Sequence, residues 1–294
     1  MPESRTAERL PALLIVGALA LASIVIATLG VTPARVTAQE LLGAARGPGE
    51  AAFIAGHRGG TTMAPENTLP AVRSALEGGF DYVEVDLALT SDGHAVLMHD
   101  ATVSRTTNGA GRVADLTLAQ VRELDAGSWF SPAFAGTRVP TSDELLDLVA
   151  DLHGRAILDL KGTWTAAAAT TLVDAIGARG LERSIAVASF DARTLAYIEA
   201  RSSVISRLVI LKKLPADVVD AAVQVGARGI VVDRRALTAR PEVVDDLHDA
   251  GLRVIVYTLN TDKQWHAVTG LGVDGIVTDD PGTLDTWQRA LASR

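Results

Sequence analysis

From residue 51 onward, short apolar runs alternate with longer amphipathic stretches, and the pair repeats eight times. The strand-like runs are 53–56, 81–86, 155–160, 184–189, 207–211, 229–233, 252–257 and 275–278. The helix-like stretches 67–78, 142–153, 165–179, 191–201, 215–225, 241–250, 261–269 and 282–292 follow them in turn. The runs are mostly apolar, as in parallel sheets covered on both sides, but in the second Val83, Val85 and Leu87 form one face and Tyr82, Glu84 and Asp86 the other. Eight strand–helix units within residues 51–294 predict an α/β fold of the (β/α)8 (TIM) barrel type. A doubly wound open sheet uses the same alternation, so the count favours the barrel without excluding the other. One segment breaks the rhythm. Residues 90–140, after the second strand, hold a turn, a short strand and a short helix, and they predict a small insertion on the catalytic face.

The residues ahead of the barrel read differently. After a tail at 1–9, residues 10–31 carry no charge, and a run of about 20 such residues matches a bilayer's hydrocarbon thickness. Two readings stay open: an uncleaved membrane anchor, or a secretory signal cleaved near "VTAQ" at 36–39. The length favours the anchor, because signal cores span only about 7–15 residues. Either way the expected location is extracytoplasmic, membrane-anchored or secreted. Residues 32–50, rich in Ala, Gly and Pro, read as a tether. The net charge of −8 argues against nucleic acid as a partner, and the lack of cysteine excludes thiolate metal sites. Oligomeric state is not legible.

In a closed parallel barrel, functional side chains sit where strands end. The first strand delivers "GHRGG", hence His57 and Arg58; the second delivers Glu84 and Asp86; the third, "AILDLKG", delivers Asp159 and Lys161. The insertion adds His99 and Asp100. Buried carboxylates need positive partners. Glu84, Asp86 and Asp159 form an oxygen donor set suited to a hard divalent cation, Mg²⁺ or Ca²⁺. Lys161 as their counter-ion explains the acids equally well. Two histidines at loop entrances, next to an arginine, add the means for proton transfer near neutral pH. In "APENTLPA", Asn67 reads as a helix N-cap with Pro70 in the first turn, while Glu66 lies near the site with a structural or a functional role. Tyr257 and Asn260, in "YTLN" after the seventh strand, are candidate pocket residues.

The ordered set "HRGG…APENT", "VEVDLALTSDGHAVLMHD", "RTTNGAGRVADLTLAQVRELDAGSWF" and "DGIVTDDP" resembles the glycerophosphodiester phosphodiesterase family over residues 51–285. The resemblance implies a (β/α)8 barrel with an insertion after the second strand. It implies hydrolysis of glycerophosphodiesters to glycerol 3-phosphate and an alcohol, with a divalent cation. By position it puts the catalytic histidine pair on His57 and His99, the phosphate-binding cations on Arg58 and Lys161, and the metal carboxylates on Glu84, Asp86 and Asp159. Two positions depart from the family's usual residues: Asp159 stands for glutamate and Tyr257 for tryptophan. The first bears on metal choice, the second on the pocket for the substrate's alcohol or glycerol portion. A membrane-anchored barrel also admits lysophospholipase D-like hydrolysis, with "AGSWFSPAF" at 126–134 as a candidate acyl grip. A non-catalytic phosphodiester-binding barrel is the third reading.

Overall fold

The computed structural model describes residues 37–292. Strands β1 (Phe53–Gly56), β2 (Tyr82–Leu89), β4 (Ala156–Leu160), β5 (Ile185–Ser189), β6 (Ser206–Leu211), β7 (Gly229–Asp233), β8 (Arg253–Tyr257) and β9 (Gly275–Thr278) pair in parallel and in that order. β1 pairs with both β2 and β9, so the sheet closes on itself into an eight-stranded barrel. Closure removes every barrel edge. The one added strand among the described residues, β3 (Ala95–Leu97), runs antiparallel to the far end of β2, with Leu87 opposite Leu97. β2 therefore continues to Leu89, beyond the expected end at 86, because its last residues pair with the insertion as well as the barrel.

Side chains alternate along each strand, and the alternation sorts them into two cores. Val83, Val85 and Leu87 point outward and pack with Leu145, Leu158, Trp164 and Leu172 beneath the helices. A matching cluster on the opposite side joins Ile54, Val232, Val254, Ile276, Trp265 and Leu284. Each fully buried Leu or Val contributes about 1.5–3 kcal/mol. The inward positions of the same strands, among them Phe53, Tyr82, Ile157, Leu208 and Ile255, fill the barrel. Glu84 and Asp86 share the inward face of β2 with Tyr82, and this places two acids above an apolar floor.

The outer helices start at side-chain caps. Thr68 opens α2 (Leu69–Glu77), and Thr141 with Glu144 forms a capping box on α4 (Ser142–Asp151). Thr165 opens α5 (Ala166–Ala178), and Asp191 opens α6 (Ala192–Arg201). The remaining helices are α7 (Val218–Gln224), α8 (Arg234–Thr238), α9 (Val243–Asp249), α10 (Asp262–Thr269) and α11 (Pro281–Ala292). The cap of α2 is thus Thr68, not Asn67 as the sequence suggests. Asn67 lies in the left-handed region at φ 54° and is buried for another purpose.

The insertion has its own small core of Val96, Met98, Val103, Val113, Val121 and Val139. Its helix α3 (Leu118–Arg122) is tied to α4 by a bidentate Arg122–Glu144 pair, 2.7 Å at each nitrogen.

The expected tether at 32–50 needs correction over part of its length. Residues Ala38–Leu42 form helix α1, capped by Thr37 and Glu40. Leu41 and Leu42 are buried in the apolar cluster that fills the barrel. The Tyr82 hydroxyl donates to the Leu41 carbonyl, and Arg253 Nε donates to the Gly43 carbonyl at 2.9 Å. α1 closes the barrel at the end where the strands begin. The expected membrane span at 10–31 lies outside the described residues. Among the described residues no helix is long and apolar enough to cross a membrane.

Candidate active site

At the opposite end, the strand tips surround a cavity of about 370 Å³. His57, Arg58, Glu84, Asp86, His99, Asp159, Lys161 and Tyr257 all line it. Seven of the expected site residues therefore converge with Tyr257 at one mouth. Glu66 and Asn260 do not line this cavity and act one contact further out.

The convergence follows from register. Asp86 on β2 pairs directly with Asp159 on β4, and Glu84 sits two residues below Asp86 on the same face. One oxygen from each of the three acids lies within 4.8 Å of the others. Lys161, at the end of β4, reaches both Asp86 (2.9 Å) and Asp159. Arg58 Nε approaches Asp86 at 3.4 Å. Lysine and arginine thus meet Asp86 well but leave charge uncompensated elsewhere. Asp159 Oδ1 is buried with no hydrogen-bond partner. Burial, then the neighbouring Asp86, pushes Glu84 up to about 7; burial likewise pushes Asp159 up to about 6. Asp86 is held below the usual range despite its burial, by Lys161, His99 and Arg58. Two acids pushed towards the protonated form beside one held ionised, all presenting oxygen, fit a hard divalent cation. The lysine and the ion are not exclusive readings of these acids.

The backbone of the β1–α2 loop is bent to serve this cluster. Arg58 adopts φ 51°, and its N–H donates to Glu84 Oε2 at 3.0 Å. Gly59 follows at φ 93°; a Cβ there would lie 2.6 Å from the Ala71 side chain, so only glycine lets the turn rest on α2. Asn67 donates its own N–H to the Arg58 carbonyl (2.9 Å). Its side chain brackets Asp86, donating to Oδ2 at 2.7 Å and accepting from the Asp86 N–H at 3.0 Å. Two left-handed side-chain residues joined by a backbone hydrogen bond persist only where surrounding contacts over-determine them.

Each histidine is held by a carboxylate through Nδ1. His57 lies 2.6 Å from Asp279 Oδ1, and His99 lies 2.6 Å from Asp100 Oδ1. Nε2 is the nitrogen left for a ligand in both. His99 reaches the mouth because Met98 N–H bonds the Asp86 carbonyl (3.0 Å), which docks the end of β3 on β2. The two rings differ electrostatically. His57 is raised despite its burial, by Asp279 and by Glu84. His99 is lowered, chiefly by burial.

Three contributors were given no part in the site from sequence. Asp279 follows the last strand and is gripped by Asn260, whose Nδ2 donates to Oδ2 at 2.5 Å. Asn260 is therefore a support for the His57–Asp279 pair rather than a pocket wall. Arg105 bridges Glu66 (2.8 Å) and Asp100 (2.6 Å), and Glu66 in turn takes Arg58 Nη1 at 2.7 Å. Glu66 thus locks both Arg58 and Arg105. The third is Asn67, whose grip on Asp86 replaces the expected capping role. Asp279 stands at a strand end and within "DGIVTDDP", and Arg105 opens "RTTNGAGRV", but neither position tells which side chain it meets. The aromatic loop 126–134 does not line the cavity; Phe130 stacks edge-on with Trp129 and Phe134.

Oxygen ligands for a hard ion, two cations for an anion, and paired proton carriers belong together in the chemistry of phosphoric esters. That is the class of enzyme this barrel mouth defines. The chain belongs to the glycerophosphoryl diester phosphodiesterase family, whose model matches residues 57–283. It is 32% identical over 234 residues to a glycerophosphodiester phosphodiesterase of Caldanaerobacter subterraneus, across 79% of this chain and 96% of that one. The solved glycerophosphodiester phosphodiesterase of Agrobacterium tumefaciens is 28% identical with a TM-score of 0.69, covering 80% of this chain and 100% of that one. An Oleispira antarctica phosphodiesterase, solved with its product sn-glycerol-3-phosphate, is 25% identical with a TM-score of 0.72 over 80% of this chain and 96% of that one.

Proposed function

We propose that the chain hydrolyses glycerophosphodiesters to glycerol 3-phosphate and an alcohol, using a divalent cation of the Mg²⁺ or Ca²⁺ type. The observation that carries this reading is the meeting, in one cavity, of the Glu84–Asp86–Asp159 oxygen cluster with two carboxylate-held histidines. Glu84, Asp86 and Asp159 would hold the ion, which when bound supplies Lewis acidity and positive charge for the phosphate.

The chain's own groups do the rest. Arg58 and Lys161 line the cavity and neutralise the phosphate's remaining charge as it shifts towards the leaving oxygen. Glu66 and the Asp86 carboxylate keep the Arg58 guanidinium from swinging into solvent. His57, whose imidazolium is favoured by Asp279 and Glu84, donates the proton to the departing alkoxide from Nε2. His99, kept neutral by burial, accepts the nucleophile's proton at Nε2. Asp100 stays ionised, held down to about 2 chiefly by Arg105, and steadies the His99 imidazolium once formed.

The test is release of glycerol 3-phosphate from glycerophosphocholine and glycerophosphoglycerol, with EDTA and then with Mg²⁺ or Ca²⁺ restored. Activity lost to EDTA and recovered with the cation is expected. No product from any glycerophosphodiester in the presence of cation overturns the reading.

A further inference from the structure

A second groove opens beside the catalytic cavity. It is shallow, about 500 Å³, and is lined by Lys212, Lys213, Leu214, Asp233, Arg235 and Arg240 with two alanines. It lies on the loops that follow β6 and β7, at the same end of the barrel as the mouth. Lys212 belongs to both walls, so the groove begins where the cavity ends.

The charge of this groove opposes that of the chain. Four cations face one acid here, in a protein whose formal charge is −8. The acid is committed elsewhere: Asp233 Oδ1 accepts the Arg235 backbone N–H at 2.7 Å and caps α8. Arg240 donates to the Pro215 carbonyl at 2.9 Å and stands 3.8 Å from Glu242, which fixes its guanidinium at the groove's edge. Lys212 and Lys213 are exposed. Phe190, itself 46% exposed, joins the two sites. Its ring has Lys161 at 5.9 Å and Lys212 at 5.4 Å from the centroid, within the range of cation–π attraction. A line of positive charge therefore runs from Lys161, among the acids, past Phe190 to Lys212 and on to Lys213 and Arg235.

We infer that this groove is a binding subsite for an anionic group on the alcohol portion of the substrate, and that a second phosphate is the group it takes. The inference rests on the glycerophosphodiesterase reading above. With one phosphate held at Arg58 and Lys161, the alcohol portion of a diester extends over Phe190, and a second phosphate on it meets Lys212, Lys213 and Arg235. Choline, carrying positive charge, would be repelled there, and glycerol would be indifferent. The groove thus selects diesters that carry two phosphates over those that carry one.

The experiment compares kcat/KM of the full chain, with saturating cation, for glycerophosphoglycerol and for bis(glycerophospho)glycerol, which has a second phosphodiester. Wild-type protein is expected to prefer the two-phosphate substrate, and K213E/R235E to lower that preference about tenfold through charge repulsion. K213Q/R235Q should fall between them. Should the reversed variant fold poorly, salt on the wild-type protein reads the same contact: kcat/KM for the two-phosphate substrate must fall more steeply with NaCl. Hydrolysis of neither substrate would defeat the enzymatic reading itself. Hydrolysis of both, with an unchanged preference in the variant and parallel salt slopes, overturns the groove alone. An unchanged preference with lost binding to vesicles of anionic phospholipid assigns the groove to a lipid surface and likewise overturns it.

Discussion

His57 and Asp279, 222 residues apart in sequence, meet at 2.6 Å between His57 Nδ1 and the carboxylate Oδ1. They follow β1 and β9, the strands whose pairing closes the barrel, so closure itself brings the imidazole to its partner. The carboxylate favours the imidazolium and leaves Nε2 facing the substrate. D279N retains shape but loses that charge. Activity is expected to fall about 10²–10⁴-fold. The pH profile is more telling. With His57 as the proposed acid, the alkaline limb of kcat/KM reports its proton, and D279N is expected to move that limb to lower pH. A shift confined to the acidic limb would reverse the roles of His57 and His99.

The Glu84 and Asp159 carboxyls predict a pH-dependent response to cation. In the cation-free fold Glu84 sits near 7 against an ordinary 4.5, and Asp159 near 6 against 3.8. The folded chain then holds protons that the unfolded chain has released. This contribution to stability is complete below about pH 4 and is lost as pH rises towards 7. A divalent ion competes with those protons. Its effect on the thermal midpoint is therefore expected to be larger at about pH 7.5 than at about pH 5. Equal shifts at both values would mean the ion binds elsewhere.

Lys161 separates the two readings of the acidic cluster. It contacts Asp86 and Asp159, so K161A deepens the negative field around Glu84. Cation affinity, measured by calorimetry, is expected to rise. kcat/KM is expected to fall about 10²–10³-fold, because a cation aimed at the phosphate is gone. A variant that loses cation binding as well would make Lys161 an organiser of the acids rather than a partner of substrate.

The barrel was legible because its cause is local. Each strand is a run covered on both faces, and eight such runs with helices between them leave few topologies. Glu84, Asp86, Asp159 and Lys161 were legible for the same reason, since a strand's period of two sets which residues face inward. The supports were not. Asn67 looked like a cap because its neighbours form a helix start; its true partner, Asp86, comes from another strand. Arg105 and Asp279 act through contacts that only closure and the folded insertion create. Residues 38–42 read as tether because a five-residue helix has no periodicity to detect, and what it buries lies in the barrel.

Asn67 tests how tightly the acids must be held. Its amide satisfies both the Asp86 carboxylate and the Asp86 N–H, inside the barrel. N67A orphans that N–H and is expected to cost about 1–3 kcal/mol in urea denaturation. N67D should cost more, since it sets a second carboxylate against Asp86. N67G, which accepts φ 54° without strain, should lose as much stability as N67A only if the hydrogen bonds matter more than the backbone. Recovery of wild-type stability in N67G would assign the residue to the turn instead.

Leu41 tests whether α1 belongs to the barrel. Its side chain is fully buried among inward-facing residues, and its carbonyl takes the Tyr82 hydroxyl. Tyr82 stacks against Phe53 at 4.9 Å and stands two residues below Glu84, so the plug supports the floor of the acidic cluster. The helix lies ahead of the family-matched residues, yet its burial resembles that of the core. L41A removes the packing and leaves room for water beneath that floor. The expected cost is about 2–5 kcal/mol in urea denaturation. A single transition shifted to lower urea is the signature of a plug that unfolds with the barrel. A wild-type midpoint would show that α1 opens on its own and that the barrel stands without it.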